Sequence, residues 1–429
     1  MSIVQNLQNN YVRYSIILFV FILTVSLILS ISPKHTRGDF DVYYASSQNY
    51  LAKAPVYIPH DGIEEFKYSP LFALVFSPLT MLSKPLALYV WNILNIFLLY
   101  LIFYLFYKLK QMSFSKPQDL LIIVCLFALA GQFIFSDIRL GQINIFLCCL
   151  MVLTMYLEIN KKYFWASVIL AFSLMIKFFP LLFVLYFVLR RRFKLLGFTI
   201  LMTVFFLLLP SIYSGFDLNL RYLHDWFILL KSSPAHLLYS VKNNSLLSFY
   251  SWFFIARHDM HSVIDYNMIQ KGLTPEVYYF WGVSCFIFFS SFFYDTFFVK
   301  HKEIKIAFLD YSCLFVCGLL FNPLAYLNAL VFLIVPYFFI LRFLFYSEIS
   351  GKYGFICAFF ISLSFIFNIV GHVIFFKDIH QYYVFLQCKP LMWSIILVYL
   401  SLCLGKFSLK HYFYLTIEGG NCIISPSQR

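Results

Sequence analysis

Apolar runs, each about as long as a membrane-spanning helix, recur along almost the whole chain. A helix needs about 20 mostly apolar residues to cross the hydrocarbon core of a bilayer, and it satisfies its own backbone hydrogen bonds there. Charged residues make up only 12% of the sequence, about half of their share in a soluble domain. The sequence therefore predicts an all-α polytopic membrane protein that forms a single transmembrane domain over residues 1–429.

Basic residues predict how these runs are oriented. The net charge is +13, and Lys and Arg collect in short segments between the apolar runs. The positive-inside rule explains this pattern without nucleic acid as a partner. We expect about 12 crossings of the plasma membrane, both termini on the cytoplasmic side, and a cytoplasmic tail over 406–429. The predicted spans are 13–32, 86–107, 119–136, 142–159, the two arms of 163–190, 195–213, 277–299, 306–321, 324–346, 353–376 and 384–404.

The segment 163–190 fits this orientation only if the chain crosses the membrane within it and then returns to the cytoplasmic side. Residues 161–162 before it and 190–192 near its end are both basic, so both are expected on the cytoplasmic side. The sequence Lys-Phe-Phe-Pro at 177–180 interrupts the run, and proline disrupts a helix interior. We predict a hairpin of two short helices with Lys177 at its outer apex. The alternative is a single kinked helix, which would invert every later span.

The two long polar segments, 33–85 and 214–276, then lie on the outer side. They contain aromatic-rich amphipathic pieces such as 220–227, which are typical of helices that lie along the membrane interface. Asp39 and Asp41 stand beside aromatic residues near the start of the first segment. A charged cluster in such an apolar protein indicates a functional site. The alternative is that both carboxylates only cap a helix.

An ordered series of short motifs extends over most of the chain. The motifs are Asp39-Phe40-Asp41-Val42-Tyr43-Tyr44, Tyr68-Ser69-Pro70-Leu71, Gly141-Gln142-Ile143-Asn144, Ile176-Lys177-Phe178-Phe179-Pro180, Asn243-Asn244-Ser245-Leu246 and Asn322-Pro323. In order and spacing, from residue 37 to residue 336, this series resembles glycosyltransferase family 87, which has the GT-C membrane fold. The sequence departs from the family pattern at Asn328, where the family often has histidine, and at Asn244, where it often has glutamine.

The resemblance implies a glycosyltransferase whose donor is a sugar on a polyprenyl monophosphate; the family includes mannosyltransferases that use polyprenyl-phosphate mannose. The acceptor would be a lipid or a glycan, and the active site would face the extracytoplasmic side. Asp39 matches the family's catalytic aspartate and would be the general base, with Asp41 as the alternative. We expect no metal or other cofactor, because a monophosphate donor has no diphosphate for a metal to bridge.

Cations and polar side chains of the motifs are candidates for holding the substrates. Lys177, between two apolar arms, would bind the lipid phosphate, and its alternative is to extend its ammonium group to the interface. Arg139 and Arg257 are further phosphate candidates; the alternative for Arg139 is an ion pair with Asp137. The candidate substrate-binding residues are Tyr43, Tyr68, Gln142, Asn144, Asn243, Asn244 and Ser245. For the amides, the alternative is capping of helix ends.

Two other functions share these features. One is a transporter or flippase of lipid-linked sugars, and the other is a polymerase or ligase for surface glycans. Transporters usually bind their substrate near the bilayer midplane on broken helices. The polar clusters of this chain collect in long segments at one face, which favours the enzyme.

Overall fold

The protein is built from helices, as the sequence predicts. The structure, a computed structural model, describes residues 38–58, 65–109, 111–112, 116–231, 240, 242–255, 274–298, 304–349, 351–370 and 389–418. Its α-helices are α1 Asp39–Leu51, α2 Pro70–Phe76, α3 Lys84–Lys108, α4 Pro117–Arg139, α5 Asn144–Ile159, α6 Tyr163–Ile176, α7 Leu181–Leu189, α8 Phe193–Leu208, α9 Ser211–Ser214, α10 Phe216–Lys231, α11 Leu246–Ile255, α12 Pro275–Phe298, α13 Ile304–Phe321, α14 Ile334–Phe345, α15 Gly351–Val370 and α16 Pro390–Glu418. Two 3₁₀ helices, Ser77–Met81 and Leu327–Leu333, precede α3 and α14. These residues include no β-strand.

Eight stretches of helix in the described residues are long and apolar enough to cross a membrane. They are Lys84–Lys108, Pro117–Arg139, Phe193–Ser214, Pro275–Phe293, Ile304–Phe321, Leu327–Phe345, Gly351–Ile369 and Pro390–Leu409. The all-α polytopic fold class is thereby confirmed. The predicted span 13–32 lies outside the described residues, and the total of about 12 crossings remains a prediction.

The chain reverses direction twice between residues 163 and 208. α6 and α8 run parallel, because Phe164 packs on Phe198 and, further along both helices, Phe172 packs on Phe206. The intervening helix α7 must therefore run the opposite way. At the end where α6 starts, Arg192 forms an ion pair with Glu158 at 2.8 Å. We call this end, with residues 158–163 and 190–194, the basic end, and the opposite end the Lys177 end.

The break between α6 and α7 is anchored in the centre of the protein. Buried residues make up 78% of the span through α13 and 83% of the span through α14, but only 11% of the span through α12. The ring of Phe179 stacks on Phe332 with centroids 4.4 Å apart. A Cβ on Gly318 of α13 would overlap that ring, so only glycine leaves room for it. Phe179 thus fixes the segment that carries Lys177.

The last helix extends beyond the predicted span 384–404. α16 continues to Glu418, so the first part of the predicted tail 406–429 is helical. Lys406 is 2% exposed, and its Nζ lies 2.7 Å from Asp310 of α13, which also pairs with Arg190. A hydropathy pattern cannot show a carboxylate on another helix, so the sequence interpretation ended the span at this lysine.

Candidate functional site

The start of α1 packs directly on the turn between α4 and α5. A Cβ on Gly38 would lie 2.8 Å from the carbonyl oxygen of Leu140. Gly141 has a φ of +62°, and a Cβ there would lie 2.6 Å from Cβ of Phe40. These glycines allow two backbone segments, far apart in sequence, to come together. As a result, the carboxylates at the start of α1 lie beside the residues of the α4–α5 turn.

Asp39 and Asp41 face different cations. Asp41 is 3% exposed, and its Oδ1 lies 2.9 Å from Nζ of Lys84 at the start of α3. Asp39, the first residue of α1, is half-buried, and its charge acts on Lys177 and Tyr43. Residues two apart on a helix point about 200° away from each other, which explains the separation. Asp41 is part of an ion pair with α3, whereas Asp39 belongs to the surroundings of Lys177.

Lys177 is held by a chain of hydrogen bonds that starts on a buried carboxylate. Nζ of Lys177 donates to Oδ1 of Asn144 at 2.7 Å, and Nδ2 of Asn144 donates to Oδ1 of Asp137 at 2.8 Å. Oδ2 of Asp137 accepts the backbone N–H of Ile145 at 3.1 Å and so caps the start of α5. Asn144 therefore orients the lysine. Sequence reasoning did not place Asp137 in the site; its only signal was a carboxylate near the end of a predicted span.

The electrostatic surroundings of Lys177 combine both signs of charge. Burial lowers the pKa of Lys177, while the charge of Asp39, and then that of Asp137, opposes this effect. Lys67 is near enough to lower the pKa of Lys177 further. An arriving anion would relieve both the burial penalty and the repulsion between the two lysines. Lys67, just before the Tyr68 motif, was not among the sequence candidates.

Tyr43, Tyr68 and Gln142 meet behind Asp39. The hydroxyls of Tyr43 and Tyr68 are 2.8 Å apart, and the Tyr43 hydroxyl donates to Oε1 of Gln142 at 3.4 Å. Burial, helped by Tyr68 and Asp39, raises the pKa of Tyr43 well above its usual value, so its phenol stays protonated. The three side chains join α1 to the α4–α5 turn through buried contacts.

The Asn243 motif is gathered around Pro323. Oδ1 of Asn243 accepts the backbone N–H groups of Ser245 and Ala325 at 3.1 and 3.0 Å. Nδ2 of Asn243 and Oγ of Ser245 both donate to the Pro323 carbonyl, at 2.8 and 2.9 Å. Asn244 is buried, and its Nδ2 donates to the Lys242 carbonyl at 2.9 Å. These bonds connect the loop before α11 to the loop after α13.

Lys389 is a buried cation that sequence reasoning missed. Its Nζ donates to the carbonyls of Asn243 and Ser240, at 2.6 and 3.2 Å. Burial lowers the pKa of Lys389 to about 7. The only sequence signal was a lysine directly before Pro390, at the start of an apolar run. Lys389 connects α16 to the Asn243 loop.

The remaining candidates lie elsewhere. Arg139 is exposed at the end of α4, and Asp137 accepts its hydrogen bonds from Asn144 and Ile145. Arg257 lies outside the described residues. Within the described ranges, no three His, Cys, Asp or Glu side chains are grouped so that they could hold a metal ion.

The comparison with protein families matches the central part of the chain. The model of glycosyltransferase family 87 matches residues 66–258, somewhat less than half of the sequence. The match includes Tyr68, Gln142, Asn144 and Lys177, whereas Asp39 precedes it and joins it through α1. No curated protein matches the chain. The family match confirms the resemblance over residues 66–258, and the motifs at Asp39 and Asn322 lie outside the matched part.

Proposed function

We propose that this chain, whose residues 66–258 match the model of glycosyltransferase family 87, is a membrane glycosyltransferase that uses a polyprenyl monophosphate donor. The sugar, a hexose such as mannose or a pentose, passes to a lipid or glycan acceptor. The observation that carries this proposal is the half-buried Asp39 beside the Lys177–Asn144–Asp137 chain. One end of the helix assembly thus brings a carboxylate near a cation, as transfer from a phosphate-linked donor requires.

The reaction needs a base and a stabilised leaving group. Asp39 takes the proton of the acceptor hydroxyl while its oxygen attacks the anomeric carbon of the sugar. The bond from that carbon to the phosphate oxygen breaks, and its electron pair leaves with the polyprenyl phosphate. The phosphate gains one negative charge in this step. Lys177, supported by Lys67, stabilises that charge.

The alternative base, Asp41, is less suitable. Its carboxylate is nearly inaccessible, at 3% exposure of the residue, and it is paired with Lys84 at 2.9 Å. Taking a proton there would require breaking the ion pair. Asp39 is only half-buried, and its charge acts on Lys177. This arrangement supports Asp39 as the base.

The distribution of charge supports an active site on the outer side of the plasma membrane. The basic end carries Lys161, Lys162 and the arginines at 190–192, whereas Asp39 and Lys177 lie at the opposite end. By the positive-inside rule the basic end faces the cytoplasm, so the Lys177 end faces outward. A polyprenyl phosphate sugar in the outer leaflet would then present its phosphate at the depth of Lys177.

A transfer assay with the purified protein in lipid vesicles tests the proposal. The donors are radiolabelled sugars, mannose first, on polyprenyl monophosphate, and the acceptors are lipid and glycan extracts. We expect a new glycosidic product with the wild type and a loss of at least about 100-fold in rate for Asp39→Asn, since general-base catalysis contributes at least that much. The matched control is Asp217→Asn, which removes an exposed carboxylate at the start of α10.

Full transfer by Asp39→Asn would reject Asp39 as the base. Transbilayer movement of the labelled donor without any new glycosidic bond would instead identify a flippase. Product formed only from diphosphate-linked donors would reject the monophosphate and favour a polymerase or ligase.

A further inference from the structure

We propose that a cationic pocket at the basic end binds the phosphate headgroup of an anionic phospholipid, at a site separate from Asp39 and Lys177. The pocket has a volume of about 420 Å³ and lies between the end of α3, the start of α4 and the end of α14. Its cations are Lys108, Lys116 and Arg342, and Tyr107 and Tyr346 contribute to its wall. We call it the Lys108 pocket.

Two of the three cations form no ion pair with any carboxylate that the structure describes. Lys108 and Lys116 are exposed, and in the described part of the chain neither forms an ion pair with Asp or Glu. Each lies near a tyrosine ring instead, Lys108 at 5.3 Å from Tyr104 and Lys116 at 5.1 Å from Tyr346. Their positive charge remains available to a ligand.

The third cation is fixed in place. Arg342 donates from Nε to the Gln111 carbonyl at 3.0 Å and from Nη1 to Glu348 at 2.6 Å. Its guanidinium lies 4.5 Å from the ring of Tyr346. Arg342 therefore forms a rigid, charge-balanced wall, and the two lysines supply the net charge of the pocket.

The carboxylates around the pocket are already engaged. Glu348 contacts Lys305 at 3.2 Å as well as Arg342. Asp119 is fully buried in α4 and accepts a hydrogen bond from the Tyr346 hydroxyl at 2.8 Å. These contacts direct both carboxylates to groups of the protein. An anion in the pocket would thus meet the lysines first.

The position of the pocket along the helices indicates that its ligand is a lipid. Lys108 is the last residue of the candidate span Lys84–Lys108, and Lys116 directly precedes the candidate span Pro117–Arg139. Residues at such positions lie at the depth of lipid headgroups, where tyrosine is also enriched. Basic pockets between transmembrane helices recognise anionic headgroups. The occupant we assign is therefore a phospholipid with a net negative charge, such as phosphatidylglycerol.

Photo-crosslinking to the full-length protein tests this assignment. The protein is reconstituted in phosphatidylcholine nanodiscs that contain a small fraction of phosphatidylglycerol with a photoactivatable headgroup, and labelled peptides are mapped by mass spectrometry. We expect labelling of the peptides around residues 107–116 and 342–346, displaced by unlabelled phosphatidylglycerol. Lys108→Gln/Lys116→Gln is expected to lose about ten-fold or more of this labelling, because both uncompensated charges are removed. The control Lys162→Gln/Lys194→Gln removes two exposed lysines of the basic end outside the pocket and should keep the labelling.

Three results would overturn the proposal. The first is equal labelling of the wild type and Lys108→Gln/Lys116→Gln, both checked for monodispersity. The second is equal labelling by a photoactivatable phosphatidylcholine, which would mean that charge does not select the lipid. The third is displacement by soluble glycerol phosphate as effective as that by phosphatidylglycerol, which would identify a site for a free phosphate. None of these results depends on sugar transfer.

Discussion

At the scale of single residues, the site depends on how neighbouring charges are divided. Asp39 and Asp41 are chemically identical and two positions apart, yet one lies near Lys177 and the other pairs with Lys84. The distinction comes from the helical periodicity, which turns them about 200° apart. Lys177 is positioned differently, by the hydrogen bonds that link its ammonium group through Asn144 to Asp137.

Lys177→Met is expected to impair donor use. The substitution keeps most of the side-chain volume but removes the charge that would stabilise the departing phosphate. We expect the KM for the donor to rise about ten-fold or more and kcat to fall, while the KM for the acceptor stays within about two-fold. Steady-state transfer kinetics with each substrate varied in turn measure both effects.

The control for this variant is Lys231→Met, which removes an exposed lysine at the end of α10 and should leave both KM values unchanged. Equal increases in the donor and acceptor KM values of Lys177→Met would contradict a specific role for Lys177 in phosphate binding.

At the scale of elements, close backbone approach positions the site. α1 can reach the α4–α5 turn because Gly38 and Gly141 have no side chain there. Phe179 fixes the α6–α7 break by stacking on Phe332. The catalytic candidates therefore lie on a turn, a helix start and a helix break, all held by buried packing.

Gly141→Ala is expected to disturb the site by forcing the start of α1 away from the α4–α5 turn. The new Cβ would clash with Phe40, and the φ of +62° is unfavourable for alanine. We expect a loss of about 2 kcal/mol or more in stability, together with a drop in transfer rate, since the start of α1 must move. Thermal unfolding in detergent and the transfer assay measure the two effects.

Gly131→Ala provides the matched comparison. Gly131 lies within α4, and a Cβ there would meet no atom within 4 Å. Alanine at this position should be neutral or slightly stabilising, because it favours helix. A Gly141→Ala protein as stable and active as Gly131→Ala would show that the close approach of α1 is not required.

At the scale of the whole molecule, buried charges join helices that are distant in sequence. Asp310 of α13 pairs with Arg190 and with Lys406 of α16, and Glu158 pairs with Arg192 and accepts a hydrogen bond from Tyr311. These contacts lie at the basic end, opposite to Asp39. They therefore contribute to assembly of the fold and not to the proposed chemistry.

Asp310→Asn is expected to destabilise the protein strongly. It leaves Arg190 and the buried Lys406 without their shared carboxylate, and breaking a buried ion pair from one side costs about 3–5 kcal/mol. The midpoint of thermal unfolding should fall clearly, and the double variant Asp310→Asn/Lys406→Met should recover part of the loss. Asp225→Asn, at an exposed carboxylate of α10, serves as the control and should leave the midpoint unchanged. No change in the midpoint of Asp310→Asn would mean that the ion pairs add nothing to stability.

The sequence by itself determined the class of this protein. Hydropathy is a local, additive property, so the all-α polytopic fold and most candidate spans could be read from the apolar runs. The motif series predicted the similarity to glycosyltransferase family 87, since that similarity depends on residue types in a fixed order. The same local signals identified Asp39 and Lys177 as candidates.

Only the tertiary structure decided which charged and polar groups meet. Asp137 behind Asn144, Lys67 beside Lys177, Lys389 on the Asn243 loop and Lys406 against Asp310 each join segments far apart in the chain. Hydrogen bonds and direct ion pairs form only when their atoms come within a few ångströms, so these pairings depend on which helices pack together. For that reason Lys406 suggested the end of a span in the sequence, but lies buried within α16 in the folded protein.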